Sequence, residues 1–154
     1  MSDLPVRQAD SSDAADIAAM CALLWPDASA DEHRVEIELL LATGMCGTLP
    51  AVLFVALNDE QHAIGFLQVG LRSHADGCDP SHPVGFVEGW FVHESFRRRG
   101  AGTAMMHEAE EWARHLGCKE MASDTWIDET ISLDAHEGVG FEVVDRCIHF
   151  RKQL

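Results

Sequence analysis

The sequence predicts an α/β chain of the α+β kind, with a mixed, mostly antiparallel central sheet flanked by helices. Two apolar runs, residues 51–57 and 63–71, flank the polar tetrapeptide Asn58-Asp59-Glu60-Gln61, the pattern of a hairpin. A third run, residues 84–92, passes into the turn Arg97-Arg98-Arg99-Gly100-Ala101-Gly102 and then into a helix-periodic segment. No βαβ repeat opens the chain and its glycines do not follow G-x-G-x-x-G, so a dinucleotide-binding sheet is disfavoured.

Residues 4–9 alternate weakly and read as a first strand. Asp10, Ser11 and Ser12 offer capping oxygens to a helix carrying Ile17, Met20, Cys21 and Leu24 on one face, which Trp25-Pro26 ends. Ser29 and Glu32 have capping-box spacing, and an apolar-rich second helix, residues 35–41, stops near Gly44. The hairpin follows, then a loop of Asp, Gly, His and Pro over residues 73–83. After the glycine turn, Met105, Ala109, Trp112, Ala113 and Leu116 share a helical face that ends near Gly117. A short strand at 121–123, a helix at about 129–138 and a last strand at 141–150 complete the order β-α-α-β-β-β-α-β-α-β.

With 154 residues, 47% of them hydrophobic, and no repeat or long linker, a single domain over residues 1–154 is expected. A net charge of −15 repels phosphate backbones and anionic lipid surfaces and draws in cations, so neither nucleic acid nor membrane is expected as a partner. Five cysteines without a C-x-x-C pair point to reduced thiols and a cytoplasmic location. Residues 1–10 carry early acids and no apolar signal-like core.

The glycine turn stands where a strand gives way to a helix, and the first N–H groups of a helix point outward without partners. Glycine allows a diphosphate to approach closely, the helix dipole favours its charge, and Arg98 and Arg99 add ionic contacts. Glu88 is the only charge between residues 83 and 92, so its carboxylate either has a partner in a cleft, suffers desolvation, or faces water from a strand edge. Asp124 follows a short apolar strand, where α/β folds place ligands, but on the residues alone a helix N-cap or turn role fits it better. The loop residues His74, Asp76, Cys78, Asp79 and His82 can all ligate but match no zinc spacing, and no metal is expected.

An apolar strand, R-x-x-G-x-G and a long helix together resemble the acetyl-CoA motif of the GNAT superfamily, whose element order also matches over nearly the whole chain. Leu23-Leu24-Trp25-Pro26-Asp27, the stretch PVGFVEGWFV at 83–92, and Ala122-Ser123-Asp124 are similar to aminoglycoside 6'-N-acetyltransferases. The resemblance implies the GNAT acyltransferase fold, with acetyl-CoA as co-substrate and a polycationic aminoglycoside as acceptor. It implies that Trp90, Phe91 and Val92 hold the pantetheine, that Arg98, Arg99, Gly100, Ala101, Gly102 and Thr103 wrap the pyrophosphate, and that Glu129 lies where an amide often contacts the cofactor. It also implies that Trp25, Glu88, Asp124 and Asp145 contact the acceptor and that the protein is a homodimer. Glu88, then Asp124, is the expected group to hold the acceptor's ammonium and take its proton, through water.

Four features depart from the pattern, the first being Glu129 in place of an amide near the cofactor. The chain contains no tyrosine, the residue with which many GNAT enzymes protonate the departing thiolate, which leaves unassisted departure, a water or a cysteine thiol. A substrate-contacting tyrosine is replaced within Ser73-His74-Ala75-Asp76, and Asp145 stands where Glu is common. A different amine acceptor, or a silent acetyl-CoA-binding module, shares much of this pattern.

Overall fold

The computed structural model describes residues 4–154; residues 1–3 of the N-terminal stretch lie outside it. The chain runs β1 (Val6–Gln8), α1 (Ala14–Leu24), α2 (Ala30–Thr43), β2 (Met45–Cys46), β3 (Leu49–Leu57), β4 (Ala63–Arg72), β5 (Val84–Val92), α3 (Ala101–His115), β6 (Glu120–Ser123) and α4 (Thr130–Gly138). The sheet order is β1-β3-β4-β5-β6, with β2 beside β3. Every pairing is antiparallel except β5 with β6.

Local chemistry sets the helix ends. Ser29 Oγ accepts from the Glu32 N–H at 3.2 Å while the Ser29 N–H donates to the Glu32 carboxylate at 2.7 Å, closing the capping box that starts α2. Gly44 at φ +66 ends it in the left-handed region. Upstream, buried Asp13 takes two hydrogen bonds from Arg7, at 2.7 and 3.0 Å, and one from the Asp10 N–H. That arrangement ties β1 to the start of α1.

Strand alternation divides the core between the two faces of the sheet. Leu53, Val55 and Phe66 pack with Ile17, Met20, Cys21, Ile37 and Leu40 of α1 and α2. Val52, Phe54, Leu67, Val69 and Val87 pack with Met105, Met106 and Ala109 of α3. No described helix is long and apolar enough to cross a membrane.

The last strand expected at 141–150 does not form, and residues 141–154 have no regular secondary structure. The segment has the apolar content of a strand but pairs with no strand among the described residues, and Val144, Ile148 and Phe150 stand exposed. Leu116 is likewise exposed, because α3 stops one residue before it. The first strand is confined to Val6–Gln8, and the two-residue β2 lacked any sequence signal.

Candidate active site

The site is built around β5. Its parallel ladder with β6 runs from Val84↔Glu120 to Val87↔Ser123 and stops there, while β5 continues beside β4 to Val92. Beyond Val87 the edge of β5 that faced β6 has no strand partner among the described residues, and it can accept a ligand that hydrogen-bonds like one. Trp90, Phe91 and Val92 lie on this length, each partly buried. The register also shifts between Gln68 and Val69, opposite Gly89 and Val87, which makes Glu88 the extra residue of a bulge.

Past Val92 the chain makes a short turn whose Arg97 Nε donates to the Val92 carbonyl at 2.8 Å. Arg98 sits at φ +59 and Gly100 at φ +82, and no side chain caps the start of α3. Nothing lies within 4 Å of where a Gly100 side chain would begin, whereas a Cβ on Gly102 would stand 3.3 Å from the Trp90 indole. Arg98, Arg99, Gly100 and Thr103 are exposed, Gly102 is partly so, and Ala101 is buried beneath. Uncapped N–H groups, a positive-φ glycine and exposed arginines fit a pyrophosphate, and the free edge of β5 leads away from it toward Glu88.

On the α1/α2 face, Glu88 has the partner that a lone strand charge required. Arg72 of β4 donates to Glu88 Oε1 from Nη2 at 2.7 Å and from Nε at 3.1 Å. The same guanidinium covers the Phe86 ring at 3.5 Å, which aligns it. Trp25 ends α1 next to this pair: its ring would meet a Cβ on Gly89 at 2.5 Å, and it packs edge-on to Phe66. Asp124 lies one residue past the last β5–β6 pair, as Glu88 does on the other strand, and is exposed. Glu129 precedes α4 without capping it, and Asp145 lies in the exposed C-terminal segment with its carboxylate turned back to the Arg146 N–H at 2.7 Å. The structure thus groups Trp25, Glu88 and Asp124 around the point where β5 and β6 part; Asp145 is not fixed there by any contact with them.

Three functional candidates were not singled out from sequence. Arg72 had no signal beyond its charge at a strand end. Ser123 and His136 meet only in the fold, His136 Nε2 lying 2.8 Å from Ser123 Oγ. Of the thiols, Cys21 is in the core, where burial pushes it up to about 12; burial also raises Cys118 and Cys78, the latter packed against Phe86 and Ala122. Among the described residues no three His, Cys, Asp or Glu side chains cluster to hold a metal.

The sequence profile of the acetyltransferase (GNAT) family matches residues 17–141. Aminoglycoside N(6')-acetyltransferase type 1 from Klebsiella aerogenes is 38% identical over 149 residues, covering 97% of this chain and 96% of the relative. The enzyme of the same name from Acinetobacter baumannii is 32% identical over 154 residues, covering 100% and 99%. Among solved structures, AAC(6')-Iy in complex with the bisubstrate analog CoA-S-monomethyl-acetylneamine superposes with a TM-score of 0.86 at 35% identity, covering 99% of this chain and 100% of that one. The aminoglycoside antibiotic 6'-N-acetyltransferase AAC(6')-Ih from Acinetobacter baumannii does so with a TM-score of 0.86 at 32% identity, over 98% and 99%.

Proposed function

Because the chain belongs to the acetyltransferase (GNAT) family, we propose that it transfers the acetyl group of acetyl-CoA to the 6'-amino group of aminoglycoside antibiotics, conferring resistance. The observation that carries this is the convergence at β5: an unpaired strand edge and an uncapped helix start on one side, and the Glu88 carboxylate beside the Trp25 ring on the other. The relatives' near full-length likeness supports the same acceptor.

In this reading Arg98, Arg99 and the N–H groups of Gly100, Ala101, Gly102 and Thr103 hold the pyrophosphate, and Trp90, Phe91 and Val92 hold the pantetheine by strand-like hydrogen bonds. Trp25, Glu88, Asp124 and Asp145 face the aminoglycoside. Its amines are mostly protonated at neutral pH, so a carboxylate must draw in the ammonium and accept a proton through water before attack; Glu88 does this, with Asp124 adding negative charge. A β5 backbone N–H meets the oxyanion as the amine adds to the thioester carbonyl. The net charge of −15 speeds capture of a polycation.

The deciding experiment is a thiol-release assay with acetyl-CoA across aminoglycosides with and without a 6'-amine, beside spermidine and a peptide panel. Turnover confined to 6'-amines supports the reading, and equal turnover of a 6'-hydroxyl analogue overturns it.

We further infer a homodimer of one-domain subunits in the cytoplasm. Trp126, Ile127, Ile131, Val144, Ile148 and Phe150 expose large apolar surfaces toward the C-terminal end of the chain, more than a charged monomer leaves to water, and a second copy covers them. Five unpaired cysteines suit a reducing compartment. Sedimentation velocity on the wild type and on Ile148→Ser/Phe150→Ser tests the dimer, which the double variant should weaken.

A further inference from the structure

We propose that Ser123 and His136 form the proton relay that neutralises the departing thiolate, a role for which this chain has no tyrosine. The inference rests on the acetyl-transfer reading of the site and is independent of which amine is acetylated.

His136 lies on α4 with Nδ1 2.7 Å from the Ser132 carbonyl. A carbonyl only accepts, so Nδ1 carries a proton and Nε2 is the atom free to change state. Nε2 stands 2.8 Å from Ser123 Oγ, which is itself 3.2 Å from the Val87 carbonyl. Val87 and Ser123 form the last pair of the β5–β6 ladder, so this hydroxyl marks the point where the two strands part and the free edge of β5 begins. The imidazole is pinned edge-on between Trp90, at 5.3 Å between centroids, and Phe141, at 5.4 Å. Trp90 is one of the residues proposed to hold the pantetheine, so the ring is packed against the cofactor strand. Trp90 and Phe141 themselves pack against the α3-side core, so the imidazole is held by rings that the core anchors.

The two hydrogen-bond states of the pair suit a relay. With a neutral imidazole the Ser123 hydroxyl donates to Nε2. With an imidazolium, Nε2–H donates to Ser123 Oγ and the hydroxyl proton is released toward a third acceptor, the Val87 carbonyl or a sulfur. When the C–S bond of the tetrahedral adduct breaks, sulfur leaves with the electron pair and takes the Ser123 hydroxyl proton. Ser123 Oγ takes the Nε2 proton, and His136 becomes neutral with Nδ1–H still on Ser132. The acceptor nitrogen has lost two protons, to Glu88 and solvent, and solvent recharges His136. Ammonium and thioester thereby give amide, thiol and one released proton. Ser123 touches the sulfur; His136 acts through it as the proton-supplying and positioning residue.

The test is single-turnover acetyl transfer, with enzyme in excess, to whichever amine the wild type acetylates in the thiol-release panel. His136→Phe keeps the ring between Trp90 and Phe141 but cannot donate. Its rate should fall by about 10²-fold, with acetyl-CoA affinity and unfolding temperature near wild type. His136→Tyr should recover most of that loss. Ser123→Ala should lose a similar factor, and the double variant Ser123→Ala/His136→Phe should be no slower than the slower single variant. A wild-type rate in His136→Phe overturns the relay, as do multiplying losses in the double variant or equal losses in Phe and Tyr variants. Failure of the aminoglycosides alone overturns the acceptor reading and leaves the relay measurable on another amine.

Discussion

Glu88 and Arg72 share a single carboxylate oxygen: both Arg72 Nη2 and Nε donate to Oε1, and Oε2 has no hydrogen-bond partner among the described residues. The pair is partly exposed, with relative side-chain exposures of 33% for Glu88 and 44% for Arg72. One oxygen of Glu88 is thus available to an incoming ammonium or its bridging water, and its guanidinium partner occupies a position that a second amine of a polycation can contest.

Glu88→Gln preserves shape and removes both the charge and the base. We expect kcat/KM for the acceptor to fall by roughly 10²-fold or more while acetyl-CoA affinity stays near normal. Steady-state kinetics and unfolding measured on one preparation check this; full activity per folded molecule moves the base to Asp124. Arg72→Gln, by contrast, should change KM for the acceptor and leave kcat nearly unchanged.

Gly100→Val places a β-branched residue at φ +82, where it costs about 1–3 kcal/mol, and sets a side chain into the space open before α3. Coenzyme A binding should weaken at least about tenfold, on the order of a lost charge-assisted contact, with the far-ultraviolet spectrum preserved. Calorimetric titration reads this directly.

Gly89→Ala adds a methyl group at 2.5 Å from Trp25 Cη2 and 3.1 Å from Phe66 Cε2. Backbone on one side and a packed aromatic pair on the other leave Trp25 as the group that moves. Overpacking of this kind costs about 1–3 kcal/mol. Acceptor KM should rise with the shift of Trp25, and acetyl-CoA affinity should not; a crystal structure or Trp fluorescence of the variant shows the displacement.

Acid stability follows the helix caps. The Ser29 N–H and hydroxyl hold the Glu32 carboxyl below its ordinary range, and Ser12 does the same for Asp10. A carboxyl depressed in the folded state stabilises fully above its unfolded pKa, near pH 4, and loses that contribution as pH falls through the lower folded value. Glu32→Gln and Ser29→Ala should therefore lower the unfolding temperature at pH 7, and the difference from wild type should shrink toward pH 3. A pH-independent difference would assign the effect to helix propensity instead.

Much of this was legible along the chain. Ser29, Glu32 and Gly44 mark α2 because capping is a local hydrogen-bond problem, solved within four residues of either end. The strand Val84–Val92 and the turn at Gly100 were readable for the same reason: apolar continuity and a positive-φ glycine leave their mark on adjacent residues. The segment 141–150 misled because apolar content alone does not secure a pairing partner, and the described chain pairs it with none.

The sequence by itself determined the order of elements apart from β2 and the last strand, the glycine turn before α3, and the isolation of one charge, Glu88, in an apolar strand. Only the tertiary structure decided what those residues meet. That Glu88 is a bulge residue bound to Arg72 depends on the register of β4 and β5, and that Trp25 lies over Gly89 and His136 reaches Ser123 depends on how α1 and α4 pack against β5 and β6. These contacts join residues 13 to 64 positions apart, a distance over which neighbouring residue types carry no information, and they are settled by strand register together with the packing of helices on the sheet.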